Sequence, residues 1–141
     1  YNWISMKILV SACLMGENCK YNGGNNYSEK LHEFIKGHEV IMVCPEVMGG
    51  LPTPRLPSEI VGDRVVNSGG VDVTNEFVLG ATKAMEYSSD VDMAILQSRS
   101  PSCGTNEIYD GTFSGNKIKG DGIFVRMLKE KGIKVVDIEE L

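Results

Sequence analysis

Four short and almost unbroken apolar runs, at residues 7–12, 39–43, 93–97 and 134–138, decide what this chain can fold into. Each is too short for a buried helix and lacks the polar alternation of a half-exposed strand, so each reads as a strand covered on both faces. Strands of that kind run parallel and need helices above and below. Leu31, Phe34 and Ile35 recur at helical spacing within residues 27–36, with Ser28 as the expected N-cap and Gly37 as the stop. Phe77, Val78, Ala81, Ala84 and Met85 form a second apolar stripe between Thr74, an expected cap, and Ser88. A third helix is expected over residues 122–131, capped by Asp121. Strand, helix, strand is the pattern of a right-handed parallel crossover. Residues 49–57 hold three prolines and two glycines and must run as a loop. Residues 64–73, turning around Asn67-Ser68-Gly69-Gly70, and residues 106–120, with alternating Ile108, Tyr109, Thr112 and Phe113, read as two hairpins. The expected fold is α/β: a single three-layer domain over residues 6–141, with a mainly parallel sheet and two inserted hairpin-like excursions.

At 141 residues, 42% of them hydrophobic, the chain has the length and the apolar content for one core. No apolar run approaches the ~20 residues that cross a bilayer, so no membrane partner is expected. Fourteen Lys and Arg against nineteen Asp and Glu give a net charge of -5, which leaves no basic footprint for a polynucleotide. Residues 1–5 precede Met6 and read as a leftover of expression. Nothing around Lys7 resembles a secretory signal, and a cytoplasmic, reducing location is expected.

Cys13 directly follows the first apolar run, Cys44 ends the second, and Cys103 lies a few residues past the third. The carboxyl ends of an open parallel sheet share one edge, and the crevice outside that edge is where ligands bind. One such cysteine is most simply a small buried hydrophobe, whereas three at equivalent positions point to a shared soft-metal site. Thiolates select zinc, copper(I) or an iron–sulfur cluster. There is no CxxC pair, and only two histidines exist, so four closed zinc ligands are not evident. Cys19 is a candidate fourth ligand, although Asn18, Lys20, Tyr21 and Asn22 around it read as exposed loop. Glu46 stands two residues after Cys44 and is a candidate general base for water. Arg55 suits an anionic substrate group, or equally an ion pair with Glu59.

Five segments in this order, Val10-Ser11-Ala12-Cys13-Leu14-Met15-Gly16, Cys44-Pro45-Glu46, Gly50-Leu51-Pro52-Thr53-Pro54-Arg55, Ser98-Arg99-Ser100-Pro101-Ser102-Cys103-Gly104 and Tyr109-Asp110-Gly111-Thr112-Phe113, resemble the thiouracil desulfidase family. The resemblance spans residues 6–141 and implies an enzyme with an oxygen-sensitive 4Fe-4S cluster. Its ligands would be Cys13, Cys44 and Cys103, with the fourth iron open to the sulfur of a small thiolated pyrimidine. The implied reaction is the non-redox desulfuration of thiolated uracil, as base or nucleotide, with water as nucleophile and sulfide as product. The resemblance further implies catalytic roles for Glu46 and for Ser100 or Ser102, while Arg55, Tyr21 and Ser11 are taken as the candidate substrate contacts. Where the family usually reads Arg-Tyr-Asp-Gly, this chain has Lys20-Tyr21-Asn22-Gly23, which loses a carboxylate and exchanges a planar guanidinium for an ammonium. Two other functions fit the same cysteines: an electron carrier or redox sensor built on a cluster, and a zinc-stabilised binding module.

Overall fold

All four apolar runs become strands of one sheet. The computed structural model describes residues 4–141, so residues 1–3 of the expected leftover lie outside the described residues. In chain order the elements are β1 (Lys7–Ser11), α1 (Glu29–Phe34), β2 (Glu39–Val43), α2 (Pro45–Met48), β3 (Ser58–Val61), β4 (Arg64–Asn67), α3 (Thr74–Met85), β5 (Met93–Leu96), β6 (Glu107–Tyr109), β7 (Lys117–Lys119), α4 (Ile123–Glu130) and β8 (Lys134–Asp137). The central sheet has the order β2-β1-β5-β8, with every neighbouring pair parallel. Two antiparallel pairs, β3 with β4 and β6 with β7, are inserted beside it.

The pleat sorts the core into two halves. On one face Ile8, Val10, Met93 and Ile95 pack with Leu31 and Ile35 of the α1 segment. On the other, Leu9, Val43, Ala94 and Leu96 pack against Ala81 and Ala84 of α3 and against Phe124, Val125 and Leu128 of α4. Alternate side chains of β1 thus reach opposite layers, as a strand period of two requires. Among the described residues no helix is long and apolar enough to cross a membrane.

Several local expectations are corrected. Ser28 caps α1 as expected, accepting from the Leu31 amide at 3.2 Å. Thr74, by contrast, is the first residue of α3, with Val73 in the cap position. Its hydroxyl accepts instead from the Val65 amide at 2.8 Å and so ties the helix to β4. Asp121 does not cap α4, where Gly122 stands at the cap; its carboxylate accepts from the Asn106 amide at 2.7 Å and from Lys129. In both places a tertiary partner outcompeted the local cap. The hairpin expected over residues 64–73 is present, with Val66 bridging Asp72 in antiparallel fashion, and β4 pairs in addition with β3 across an unanticipated turn at Gly62-Asp63. Asn67 to Gly70 make a second turn, returning the Val71 carbonyl to the Asn67 amide. Val78 of the expected stripe is exposed, and Gly80 is buried.

Gly80 matters because α2 docks on α3 backbone to backbone. A Cβ at Gly80 would stand 1.7 Å from the Pro45 carbonyl oxygen, and one at Gly49 would stand 1.9 Å from that of Glu76. No side chain fits between the two helices, and α2 is the element that carries Glu46. Gly80→Ala is therefore expected to destabilise the fold by at least ~2 kcal/mol, within the usual range for overpacking. A denaturant midpoint unchanged from that of the unsubstituted chain would show that α2 is not fixed by this contact.

Candidate active site

A cavity of about 700 Å³ opens at the carboxyl edge of the sheet, between that edge and the two inserted hairpins. Three strand ends feed it. After β1, Cys13 sits in a single 3-10 turn, Ala12–Met15. After β2, Cys44 occupies the N-cap position of α2. After β5, residues 98–103 loop across the edge to Cys103. The convergence expected from sheet topology is therefore present, and Cys13, Cys44 and Cys103 all line the cavity.

Cys13 packs with the α1 side of the core and Cys103 with the α3 and α4 side, so the thiols flank the edge from both faces. The Cys103 thiol is pushed up to about 12 by burial, against which the hydroxyls of Ser11 and Ser102 offer hydrogen bonds. Cys19 does not lie in open loop. It is half-buried, packs against the α1 side of the core, and has its thiol hydrogen-bonded to those of both Cys13 and Cys44. As the shared donor, Cys19 has its own ionisation pushed up. The bond from Cys19 lowers Cys13 against the opposing effect of burial, and brings Cys44 down to about 7. Between Cys103 and the Cys13 and Cys44 pair the interaction is electrostatic.

The lining supplies soft donors. Among the described residues no three Cys, His, Asp or Glu side chains close around a single metal. Cys13, Cys44 and Cys103 all line the cavity, and soft sulfur donors of this kind fit an iron–sulfur cluster chemically.

Glu46 is clamped at the cavity from two sides. Its Oε1 accepts from Arg55 Nε at 3.1 Å and its Oε2 from the Ser102 hydroxyl at 3.2 Å. The two ion-paired side chains are only 16% and 7% exposed for Glu46 and Arg55. The serines form a chain. Ser100 Oγ accepts from the Cys103 amide at 2.7 Å and lies 3.2 Å from Ser102 Oγ, and the Ser102 hydroxyl reaches both Glu46 Oε2 at 3.2 Å and Cys103 Sγ at 3.7 Å as alternative acceptors.

Arg55 is not the free anion receptor, nor the Glu59 partner, that its position in sequence suggested. Besides Glu46, its guanidinium donates to the Cys19 carbonyl at 2.9 Å, the Pro52 carbonyl at 3.3 Å and Thr53 Oγ1 at 3.1 Å. The proline-rich loop folds back so that this cation binds protein, joining Glu46 to the Cys19 segment. Ser11 is likewise committed. Its hydroxyl accepts from the Gln97 amide at 2.9 Å, which joins the ends of β1 and β5 beside Cys103. Tyr21 stands exposed on the rim, with Lys20 Nζ 5.9 Å from its ring centre.

Two acids, Asp137 and Glu59, take supporting roles that their places in the sequence did not reveal. Asp137, at the end of β8, accepts from Ser98 Oγ at 2.6 Å and anchors the start of the loop that carries Ser100, Ser102 and Cys103. Glu59 accepts from the amides of Gly111 at 2.9 Å and Phe113 at 3.2 Å and holds the second hairpin's loop over the cavity. The only signal available for Asp137 was its place at a strand end on the ligand-binding edge.

The chain is similar to known proteins. A model of the 2-thiouracil desulfurase family matches residues 8–140. An uncharacterized protein from Bacillus subtilis, YbbK, is 41% identical over 146 aligned positions, covering 95% of this chain and 97% of its own. Among solved structures, the [4Fe-4S]-dependent thiouracil desulfidase TudS superposes with a TM-score of 0.89 at 40% identity, covering 97% of this chain and 93% of that one.

Proposed function

The chain belongs to the 2-thiouracil desulfurase family, and on that footing we propose that it removes sulfur from thiolated uracil by 4Fe-4S-dependent, non-redox hydrolysis that releases sulfide. The observation that carries the reading is the Glu46 carboxylate, held between Arg55 and Ser102 in a cavity lined by three strand-end thiols. Cys13, Cys44 and Cys103 are the residues that would hold the cluster. When bound, it supplies a soft Lewis acid that polarises a thiocarbonyl carbon for attack.

The remaining steps belong to this chain's own side chains. Glu46 takes the proton of the attacking water, and its two fixed hydrogen bonds keep the carboxylate from turning away from the cavity. Arg55 balances its charge and orients it. Once protonated, Glu46 returns a proton toward Ser102 Oγ, and Ser100 extends that path by one hydroxyl. The substrate is a small thiolated pyrimidine, with Tyr21 on the rim where it enters. A cytoplasmic setting, reducing enough to keep four thiols free, fits the same reading.

An electron carrier has no use for a buried carboxylate aimed into a substrate-sized cavity, and for that reason the desulfidase reading is preferred. The test is anaerobic reconstitution followed by incubation with 4-thiouracil, 2-thiouracil and thiolated uridine monophosphate, without an added electron donor. Sulfide and the oxygen-containing pyrimidine are expected in equal amounts from at least one of them. A fully loaded protein that releases sulfide from none would overturn the proposal in favour of electron transfer or sensing.

A further inference from the structure

The two inserted hairpins do not touch the sheet's hydrogen bonding, yet together they roof the cavity. Glu59, on β3 of the first hairpin, is only 8% exposed, and a single carboxylate oxygen accepts from both Gly111 and Phe113 of the second. A nearly buried acid used in this way fixes one main-chain shape. That shape includes Phe113 in the left-handed region at φ 56°, which bulky side chains rarely occupy. Thr112 on one side is held by Asp110, its amide and hydroxyl both donating to one carboxylate oxygen at 2.9 and 2.6 Å.

The conformation does not serve to bury the ring. Phe113 remains 40% exposed, lies outside the three apolar clusters, and lines the same cavity as the thiols and Glu46. The other two aromatic residues lining the cavity are engaged: Tyr109 hydrogen-bonds to Arg99, and Lys20 lies over Tyr21. A strained, externally braced, otherwise unemployed aromatic face at the mouth of a substrate cavity has one evident use, contact with a flat ring.

We propose that Phe113 is the stacking wall for the pyrimidine ring of the substrate, and that Glu59 is the residue that positions it. This rests on the reading of the cavity as a thiopyrimidine site and adds the residue that recognises the ring itself. Stacking acts on the ring before and during reaction alike, so it contributes binding that is nearly equal in ground and transition states. Removing it should therefore raise KM and leave kcat almost untouched.

The experiment uses the cluster-loaded chain and reads both steady-state sulfide release and calorimetric binding of uracil, which needs no turnover. Phe113→Ala is expected to raise KM and weaken uracil binding about 10-fold each, in the range seen when base-stacking aromatics are truncated, with kcat near normal. Phe113→Tyr and Phe113→Trp are expected to restore both. Glu59→Ala should raise KM to a similar extent and add little in a Phe113→Ala background, because both changes remove one interaction. Unchanged KM and uracil affinity in a Phe113→Ala protein that turns over normally would overturn the wall alone. Failure of the unsubstituted chain to release sulfide from any thiopyrimidine would overturn the function reading, and this assignment with it.

Discussion

Serine in place of Cys13, Cys44 or Cys103 is expected to abolish iron retention after anaerobic reconstitution and desalting, whereas Cys19→Ser retains it. The three first positions follow strands of the parallel sheet: Cys13 in the 3-10 turn after β1, Cys44 at the N-cap after β2, and Cys103 in the loop after β5, where its amide donates to Ser100 Oγ. A hydroxyl at any of them replaces a soft thiolate by a hard, neutral donor, and a cluster left with two thiolates is not held. Cys19 comes from the irregular segment after the 3-10 turn and reaches the others as a hydrogen-bond donor to Cys13 and Cys44. Serine keeps a donor there. The effect expected is that of an outer partner of a metal ligand, at most ~10- to 100-fold in affinity, against complete loss for the three ligands. Iron and acid-labile sulfide per chain decide the matter. Full iron in any of the three variants, or its absence from Cys19→Ser, would break the ligand set.

The dependence on Cys19 marks where reading the sequence stopped. Continuous apolar runs identified all four sheet strands, because a strand covered on both faces leaves no other pattern. The positions of Cys13, Cys44 and Cys103 past those runs then followed from topology alone. Contacts made by irregular chain were not legible. Asn18, Lys20, Tyr21 and Asn22 are polar or exposed in composition, and only the folded path of that segment turns the thiol between them inward. Arg55 shows the same limit from the other side. Its charge pointed to an anion, and the anion is the protein's own Glu46, reached because the proline-rich loop doubles back by nine residues. β3 was hidden as well, since no continuous apolar run marks residues 58–61 and Glu59 within it finds its partners, Gly111 and Phe113, only across the cavity. Periodicity reports what packs, and these residues do not pack in layers. They meet through single hydrogen bonds whose partners lie far away in sequence.

Glu46→Gln is expected to load a normal cluster and bind the thiopyrimidine, yet release sulfide at least ~100-fold more slowly, the lower end of what general-base help contributes. The substitution is nearly isosteric, and a glutamine can still accept from Arg55 Nε or Ser102 Oγ through its one carbonyl oxygen, so the two-sided clamp is weakened without being emptied. What is lost is the group able to take a proton from water as it attacks. A thiolate-held cluster has no need of this carboxylate as a ligand, since thiolates outcompete it for iron in a soft site. Iron content and turnover therefore separate the two roles. Near-normal turnover in a fully loaded Glu46→Gln protein would move the base to the neighbouring hydroxyls, first to Ser102, which already donates to this carboxylate. Loss of iron would make Glu46 structural, an arm of the Arg55 clamp that keeps the Cys19 segment against Cys13 and Cys44. Full iron with slow sulfide release is the one result that assigns the proton transfer to Glu46.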